Sequence, residues 1–203
     1  MVGRDPLPRT FFERDTLEVA RDLLGRWLVA GDVVLRISEV EAYRGPSDSA
    51  CHTAAGRTAR NEAMWGPVGR AYVYRCYGLH WMLNVVSGEE GSGCAVLVRG
   101  AELVEGAAIV ADRRGRSGRG TLAGPAKVAQ ALAVDRTFDH HDLTEAGGLS
   151  LGVGTPADRV LVGPRVGIDY ASPEHRDAPW RFAIDGSTEV SVRRTLRSAT
   201  LSP

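Results

Sequence analysis

Lysine is almost missing from this chain: Lys127 stands alone among 25 basic residues, the rest being arginine. Chemistry that needs a side-chain amine as nucleophile therefore has one candidate. Arginine suits bidentate phosphate contacts, although a GC-rich genome produces the same bias. Cysteine is scarce too. Cys51, Cys76 and Cys94 are odd in number and form no C-x-x-C pair, which excludes a disulfide framework and a cysteine-built zinc site and fits a reducing compartment. No apolar run approaches the length needed to cross a bilayer. The start, Met1-Val2-Gly3-Arg4-Asp5-Pro6, lacks the apolar centre of a signal peptide, so the chain reads as cytoplasmic, with no membrane partner. There is no net charge either, 25 basic residues facing 25 acidic ones. That argues against a protein coated in positive potential and leaves room for a locally basic face. Repeats, low-complexity tracts and Pro/Ser linkers are absent. With 203 residues at 43% hydrophobic content, one sizeable core and a single domain over residues 1–203 are expected.

Aromatic residues make up only 6% of the chain, yet four of its five tyrosines fall in one stretch: Tyr43, Tyr72, Tyr74 and Tyr77. Glu41 stands at the head of that stretch. Ring faces attract positive charge, so an aromatic pocket holding one carboxylate suits a planar, preferably cationic, ligand. A carboxylate among rings also loses hydration, which makes it a better proton acceptor. The plainer alternative is a tyrosine-rich sheet core with a glutamate at its rim.

Along the chain, Asp15 followed by Glu18 resembles a helix-opening capping box. Leu17, Ala20, Leu23 and Leu24 mark one helical face and Gly25 offers a stop. Residues 26–43 are strand-like, broken by a Gly31-Asp32 hairpin turn. Val33, Leu35 and Ile37 share one parity with Glu41 and Tyr43, which predicts carboxylate and tyrosine on the apolar face of the strand. Residues 45–69 read as a long loop, of the kind that is functional or mobile. Strands are predicted at 71–77 and 81–86, joined at Gly78, and at 94–99, 159–168 and 181–184. Close succession of strands suggests an antiparallel sheet. Helices are predicted at 103–112 and from Gly124-Pro125 to about Ala133, where proline takes the first helical position.

The run Glu39-Val40-Glu41-Ala42-Tyr43, then Gly45-Pro46-x-Asp48 and His52, resembles the alkyladenine (3-methyladenine) DNA glycosylase family. The resemblance continues through Arg57, Arg60-Asn61 and Met64, Tyr72-Val73-Tyr74-x-x-Tyr77-Gly78, Asn84, Val96-Leu97-Val98-Arg99 and residues 124–132, with weaker similarity to about Val192. It implies an α+β fold in which a curved antiparallel sheet is flanked by helices and a β-hairpin protrudes toward DNA. The implied partner is double-stranded DNA containing alkylated or deaminated purines. The implied enzyme is a nucleoid-associated monomer that hydrolyses the N-glycosidic bond of a flipped base, with no metal and no cofactor.

Within that resemblance Glu41 matches the general base that activates water against the sugar C1′, with Glu39 as rival or structural ion-pair member. Arg99, expected at a strand end, matches an arginine beside that water. Tyr43, His52 and Tyr74 match the walls around the base, whose positive charge after alkylation favours electron-rich faces. Asn84 matches a residue that crowds guanine's 2-amino group, the other option being a strand-to-strand hydrogen bond. Tyr77 matches a wedge that fills the gap left by the flipped nucleotide, with Leu79 and His80 as supporting contacts. Arg57, Arg60 and Lys127 are candidates for DNA phosphates, and the arginine-rich residues 113–119 for nonspecific attraction.

Two rivals remain. A glycosylase that also cuts the backbone through a Schiff base would depend on Lys127. A noncatalytic nucleic-acid-binding module would use the tyrosines as stacking platforms, but a buried acid would serve it poorly. His140-His141-Asp142 is set aside as a metal site, since adjacent histidines point apart and no further ligand is near.

Overall fold

Asp15 opens the first helix, α1 (Thr16–Leu23), by accepting the Leu17 N–H at 2.8 Å, which satisfies one of the unpaired donors of a helix start. Val19, Ala20 and Leu23 are buried along one face, and the chain leaves the helix through Gly25 at φ 86°. The structure, a computed structural model, describes residues 4–199. Residues 1–3, which begin the stretch read above for a leader, and residues 200–203 lie outside the described residues, as do the two ends of the expected 1–203 domain.

Strand β1 (Trp27–Ala30) turns through Gly31-Asp32 into β2 (Val33–Tyr43), the hairpin expected from the sequence. Beyond the long loop come β3 (Ala71–Cys76), β4 (His80–Ser87) and β5 (Cys94–Glu105). Later in the chain are β6 (Leu149–Gly152), β7 (Val160–Gly163), β8 (Arg181–Ile184) and the short β9 (Arg197–Ser198). Among the described residues all strand pairings are antiparallel, in the order β3-β4-β5-β2-β8-β7-β9, with β1 and β6 off this path. Among the described residues three α-helices follow α1: α2 (Ala107–Arg114), α3 (Pro125–Ala131) and the short α4 (Pro173–Arg176). Among the described residues no helix is long and apolar enough to cross a membrane.

Three expectations are corrected. The α+β class and the flanking helices stand, but the sheet is open and branched rather than curved. β2 takes β5 along one side, while β1 pairs with its residues Val33–Arg36 and β8 with Glu39–Glu41. A long strand with two short partners in series branches the sheet, and no local residue pattern announces that.

The second correction concerns residues 94–112. β5 runs on to Glu105, with Ala101 opposite Ile37 and Leu103 opposite Leu35, so Arg99 sits mid-strand rather than at an end. The helix begins only after Gly106, whose φ of 85° and close approach to the Asp32 carbonyl leave no room for a Cβ. It extends to Arg114, so Arg113 and Arg114 belong to α2 rather than to the loop.

The third concerns parity along β2. Val33, Leu35 and Ile37 are in the main core, but so are Val40 and Ala42. Register shifts between Ile37 and Glu39 and between Glu39 and Val40 break the alternation of both strands at a bulge: Ile37 faces Ala101 and Val40 faces Val98, an odd step on each strand, so every later side chain turns to the other face. Glu39, Glu41 and Tyr43 therefore leave the face of Val33, Leu35 and Ile37. Val40 and Ala42 instead join the core that contains Val19 of α1 and Val128 of α3. The bulge frees the acids from that core.

Candidate active site

The pairing across the sheet lines up one row of side chains. Tyr72 lies opposite Asn84, Asn84 opposite Leu97, Leu97 opposite Glu41, and Glu41 opposite Arg181. Directly opposed residues share a face, so five strands contribute to one strip. Above it lies a cavity of about 600 Å³, lined among others by Tyr43, His52, Arg60, Tyr74, Asn84 and Arg99.

The carboxylate of Glu41 is fully buried. Its Oε1 accepts the Val166 N–H at 2.7 Å, and its Oε2 accepts from Arg99 Nη1 at 3.2 Å and from Tyr43 Oη at 3.1 Å. Tyr43, Arg99 and Val166 all line the cavity, so Glu41 stands just behind the floor that they form. Burial of an ion is tolerable only with such partners. Burial alone would lower the Arg99 pKa, but Glu41 and then Glu39 outweigh it and hold the guanidinium above its ordinary value. Burial, reinforced by Glu41, pushes the Tyr43 phenol well above 10, so it stays protonated and donates.

Opposite this floor stands a set of rings. Tyr72 and Tyr74 stack with centroids 5.3 Å apart, and His52 meets Tyr74 edge-on at 4.5 Å. His52 Nδ1 is 2.8 Å from the Tyr72 hydroxyl. Burial, then the nearby Arg60, lowers the His52 pKa from its ordinary 6.5, keeping the ring neutral at neutral pH. Asn61 pins the loop, donating to the carbonyls of His52 and Gly56 at 2.8 and 2.9 Å. Asn84 borders the cavity while its Nδ2 donates to the Tyr72 carbonyl at 3.0 Å, so the strand-to-strand bond weighed from the sequence is present.

Tyr77 lies at the tip of the β3–β4 hairpin, 91% exposed, with φ 50° followed by Gly78 at φ 67°. Two successive positive φ values give the turn the twist a hairpin wants. Leu79 beside it is also exposed.

The phosphate candidates are dispersed. Arg57 is a surface residue paired with Glu62 at 2.9 Å. Arg60 is exposed at the edge of the cavity, its guanidinium 5.6 Å from the Tyr74 ring centroid. Lys127, in the first turn of α3, donates to the Gly120 carbonyl at 3.2 Å. Glu189 ties down the arginine-rich segment by accepting from Gly120 N at 2.6 Å and Leu122 N at 2.7 Å.

Several contributors escaped the sequence reading. Tyr72 was seen only as part of a cluster, yet it bonds His52 and stacks on Tyr74. Arg165 lies 4.6 Å from the Tyr43 ring centroid and 4.9 Å from that of Trp180, and it pairs with Asp48 at 2.6 and 2.8 Å with both side chains buried. Burial would raise the Asp48 pKa, but the Arg165 hydrogen bond and charge outweigh it and lower it. This pair anchors the segment whose next residue, Val166, bonds Glu41. Arg181 and Ser191 also escaped notice: they hold Glu39, itself fully buried, which accepts from Arg181 Nη1 and Ser191 Oγ, both at 2.9 Å, and from Ser191 N at 2.6 Å.

Comparison with known proteins gives a consistent picture. The sequence model of a family described as methylpurine-DNA glycosylase (MPG) matches residues 10–188. A protein from Nitrosococcus oceani, named as a candidate 3-methyladenine DNA glycosylase, is 55% identical over 194 residues, 95% of this chain and 96% of its own. The DNA-3-methyladenine glycosylase of Arabidopsis thaliana is 49% identical over 195 residues, covering 94% of this chain and 76% of its own. A further candidate 3-methyladenine DNA glycosylase, from Streptomyces avermitilis, is 47% identical over 201 residues, 94% of this chain and 93% of its own.

Proposed function

The chain belongs to the methylpurine-DNA glycosylase family, and from that membership we propose how its side chains carry out the reaction. It is a DNA glycosylase of base excision repair, a hydrolase of N-glycosyl bonds that acts on alkylated purines in DNA. In our reading Glu41 is the general base. It takes a proton from a water that attacks the sugar C1′, while the alkylated purine leaves. Alkylation at N3 or N7 gives the base a positive charge, so the base departs readily and needs little help from an acid. The charge of Arg99 and the Val166 amide hold the carboxylate of Glu41 in one orientation, which lets it act without rearranging.

Tyr43, His52 and Tyr74 wall the flipped base, and their electron-rich faces favour a cationic purine. The neutral state of His52 suits this role, because an imidazolium there would repel such a base. Asn84 borders the same space and would crowd guanine's 2-amino group. Tyr77, on its exposed tip, would enter the duplex and fill the vacancy left by the flipped nucleotide. Arg57, Arg60 and Lys127 remain the candidates for phosphate contacts, Arg60 by turning outward from Tyr74. We place the enzyme in the cytoplasm at the nucleoid, as a single-domain monomer whose own side chains supply the chemistry.

The observation that carries the reading is a fully buried carboxylate, held by three donors, directly behind an aromatic cavity. Glu41→Gln keeps the shape and removes proton acceptance. Base release from an alkylated duplex should fall roughly 10²–10⁴-fold while lesion binding survives. An active Glu41→Gln enzyme alongside an inactive Glu39→Gln enzyme would move the base to Glu39.

A further inference from the structure

Glu41 does not have Arg99 to itself. The guanidinium reaches Glu41 Oε2 through Nη1 at 3.2 Å, and its Nε lies 3.5 Å from Glu39 Oε1. The Ser191 hydroxyl joins the two, 2.9 Å from Glu39 Oε1 and 3.3–3.4 Å from Arg99 Nη2 and Nε. Arg181 sits on the far side of Glu39 and also holds the Pro164 carbonyl at 2.8 Å. The four groups form a buried chain in the order Glu41, Arg99, Glu39, Arg181, with two negative and two positive charges. All three donors to Glu41 line the cavity, whereas Arg181 and Ser191, the donors to Glu39, do not, so Glu39 stands one layer farther from a base or its sugar.

We propose that Glu39 is a positioning residue that sets the basicity of Glu41 through Arg99. The inference rests on Glu41 being the general base. A guanidinium charge concentrated on one carboxylate holds that carboxylate ionised and makes it a poor proton acceptor. Glu39 draws part of that charge away and, with Ser191, holds the Nε edge so that only Nη1 is offered to Glu41. When Glu41 accepts a proton during the reaction, the chain is left with one excess positive charge, and the Glu39 carboxylate beside Arg99 stabilises that state. The other charged or titratable groups that act on Glu41 are accounted for. Tyr43 on β2 and Tyr74 on β3 are held protonated by burial, and the Arg165 charge is matched by Asp48.

The test is single-turnover base release against pH, on DNA carrying an N7-alkylated purine whose charge is fixed by the alkyl group, so that the acid limb of the profile reports the enzyme. In Glu39→Gln the whole Arg99 charge falls to Glu41, and the acid limb should move down by about one pH unit, with the plateau reduced roughly three- to tenfold. Ser191→Ala removes the hydroxyl bridge and leaves the Ser191 N–H on Glu39. It should shift the limb in the same direction by less, and it decides the matter alone if Glu39→Gln does not fold. In a Glu41→Gln background, Glu39→Gln should cause no further loss, because its effect passes through the base. A lowered plateau with an unmoved acid limb, or an additive loss in that background, would show that Glu39 merely holds the fold. Full activity of Glu41→Gln itself would remove the premise, a failure distinct from those two.

Discussion

Tyr77 offers a clean separation of function from stability. With 91% of its surface exposed, its ring contributes almost nothing to the core, so truncation removes no folded-state packing. Its φ of 50° places an ordinary residue in the left-handed region at a cost of roughly 1–2 kcal/mol, which glycine does not bear. Tyr77→Gly should therefore leave the melting temperature unchanged or slightly raised, although it deletes the largest side chain of the turn. On DNA the outcome should be different. An aromatic ring that fills the hole in the duplex is worth about 1–3 kcal/mol of stacking, or roughly 5- to 150-fold in the flipping equilibrium. Base release from a well-paired lesion should fall by that factor, and release from the same lesion in a bulge or mismatch should fall far less. Tyr74→Ala is the comparison. Tyr74 stacks on Tyr72 and meets His52, so its loss should reduce release from both substrates. The assay is single-turnover release from matched and bulged duplexes, with thermal unfolding of each variant. Equal losses for Tyr77→Gly on both substrates would refute the wedge.

His52 predicts a pH effect. Its pKa is lowered by burial and then by Arg60, so below its ordinary value of 6.5 the unfolded chain takes up the proton first. This contribution to stability is complete above that value and is lost as pH falls through the lowered one; His52→Asn should flatten that part of a stability-versus-pH curve. Asp48→Ala would strand the buried Arg165 without its partner, at a cost of about 3–5 kcal/mol, measurable by chemical denaturation. Balanced charge predicts few phosphate contacts, about three to five, each contributing a slope near −0.9 in log affinity against log salt. A slope near −10 on lesion DNA would refute that electrostatic picture.

Local signals in the sequence were dependable where one residue determines one conformation. The Asp15 cap, the Gly31-Asp32 turn and the Pro125 helix start are all such cases. What failed was anything set by a distant partner. Nothing in Ile37-Ser38-Glu39 reveals the bulge that turns Glu41 from the core, because it depends on the register with β5. Residues 103–105 look helical alone but are held extended by Val34 and Leu35. Within the site, Glu41, Tyr43, His52, Tyr74 and Asn84 were named from one contiguous region, whereas Arg165, Val166 and Arg181 come from far along the chain, Val166 lying 125 residues from the Glu41 it bonds. Their motifs are ordinary, and only folding brings them to Tyr43, Glu41 and Glu39.

The branching of the sheet at β2 also divides the molecule mechanically. Glu39, Val40 and Glu41 are laddered on both sides, by β5 and by β8, so freeing their amides means breaking two sets of hydrogen bonds in the middle of the fold. The hairpin that carries Tyr77 stands at the end of the strand order. Its outer edge is tied at Val73, whose N–H bonds Asp139, and toward the tip the β3–β4 ladder is what holds it. Amide exchange should follow that gradient, slowest at the strand that holds the two acids and fastest toward the turn. On the mechanism proposed above, rigidity would lie under the reacting bond and compliance where the hairpin would adapt to the shape of a damaged duplex.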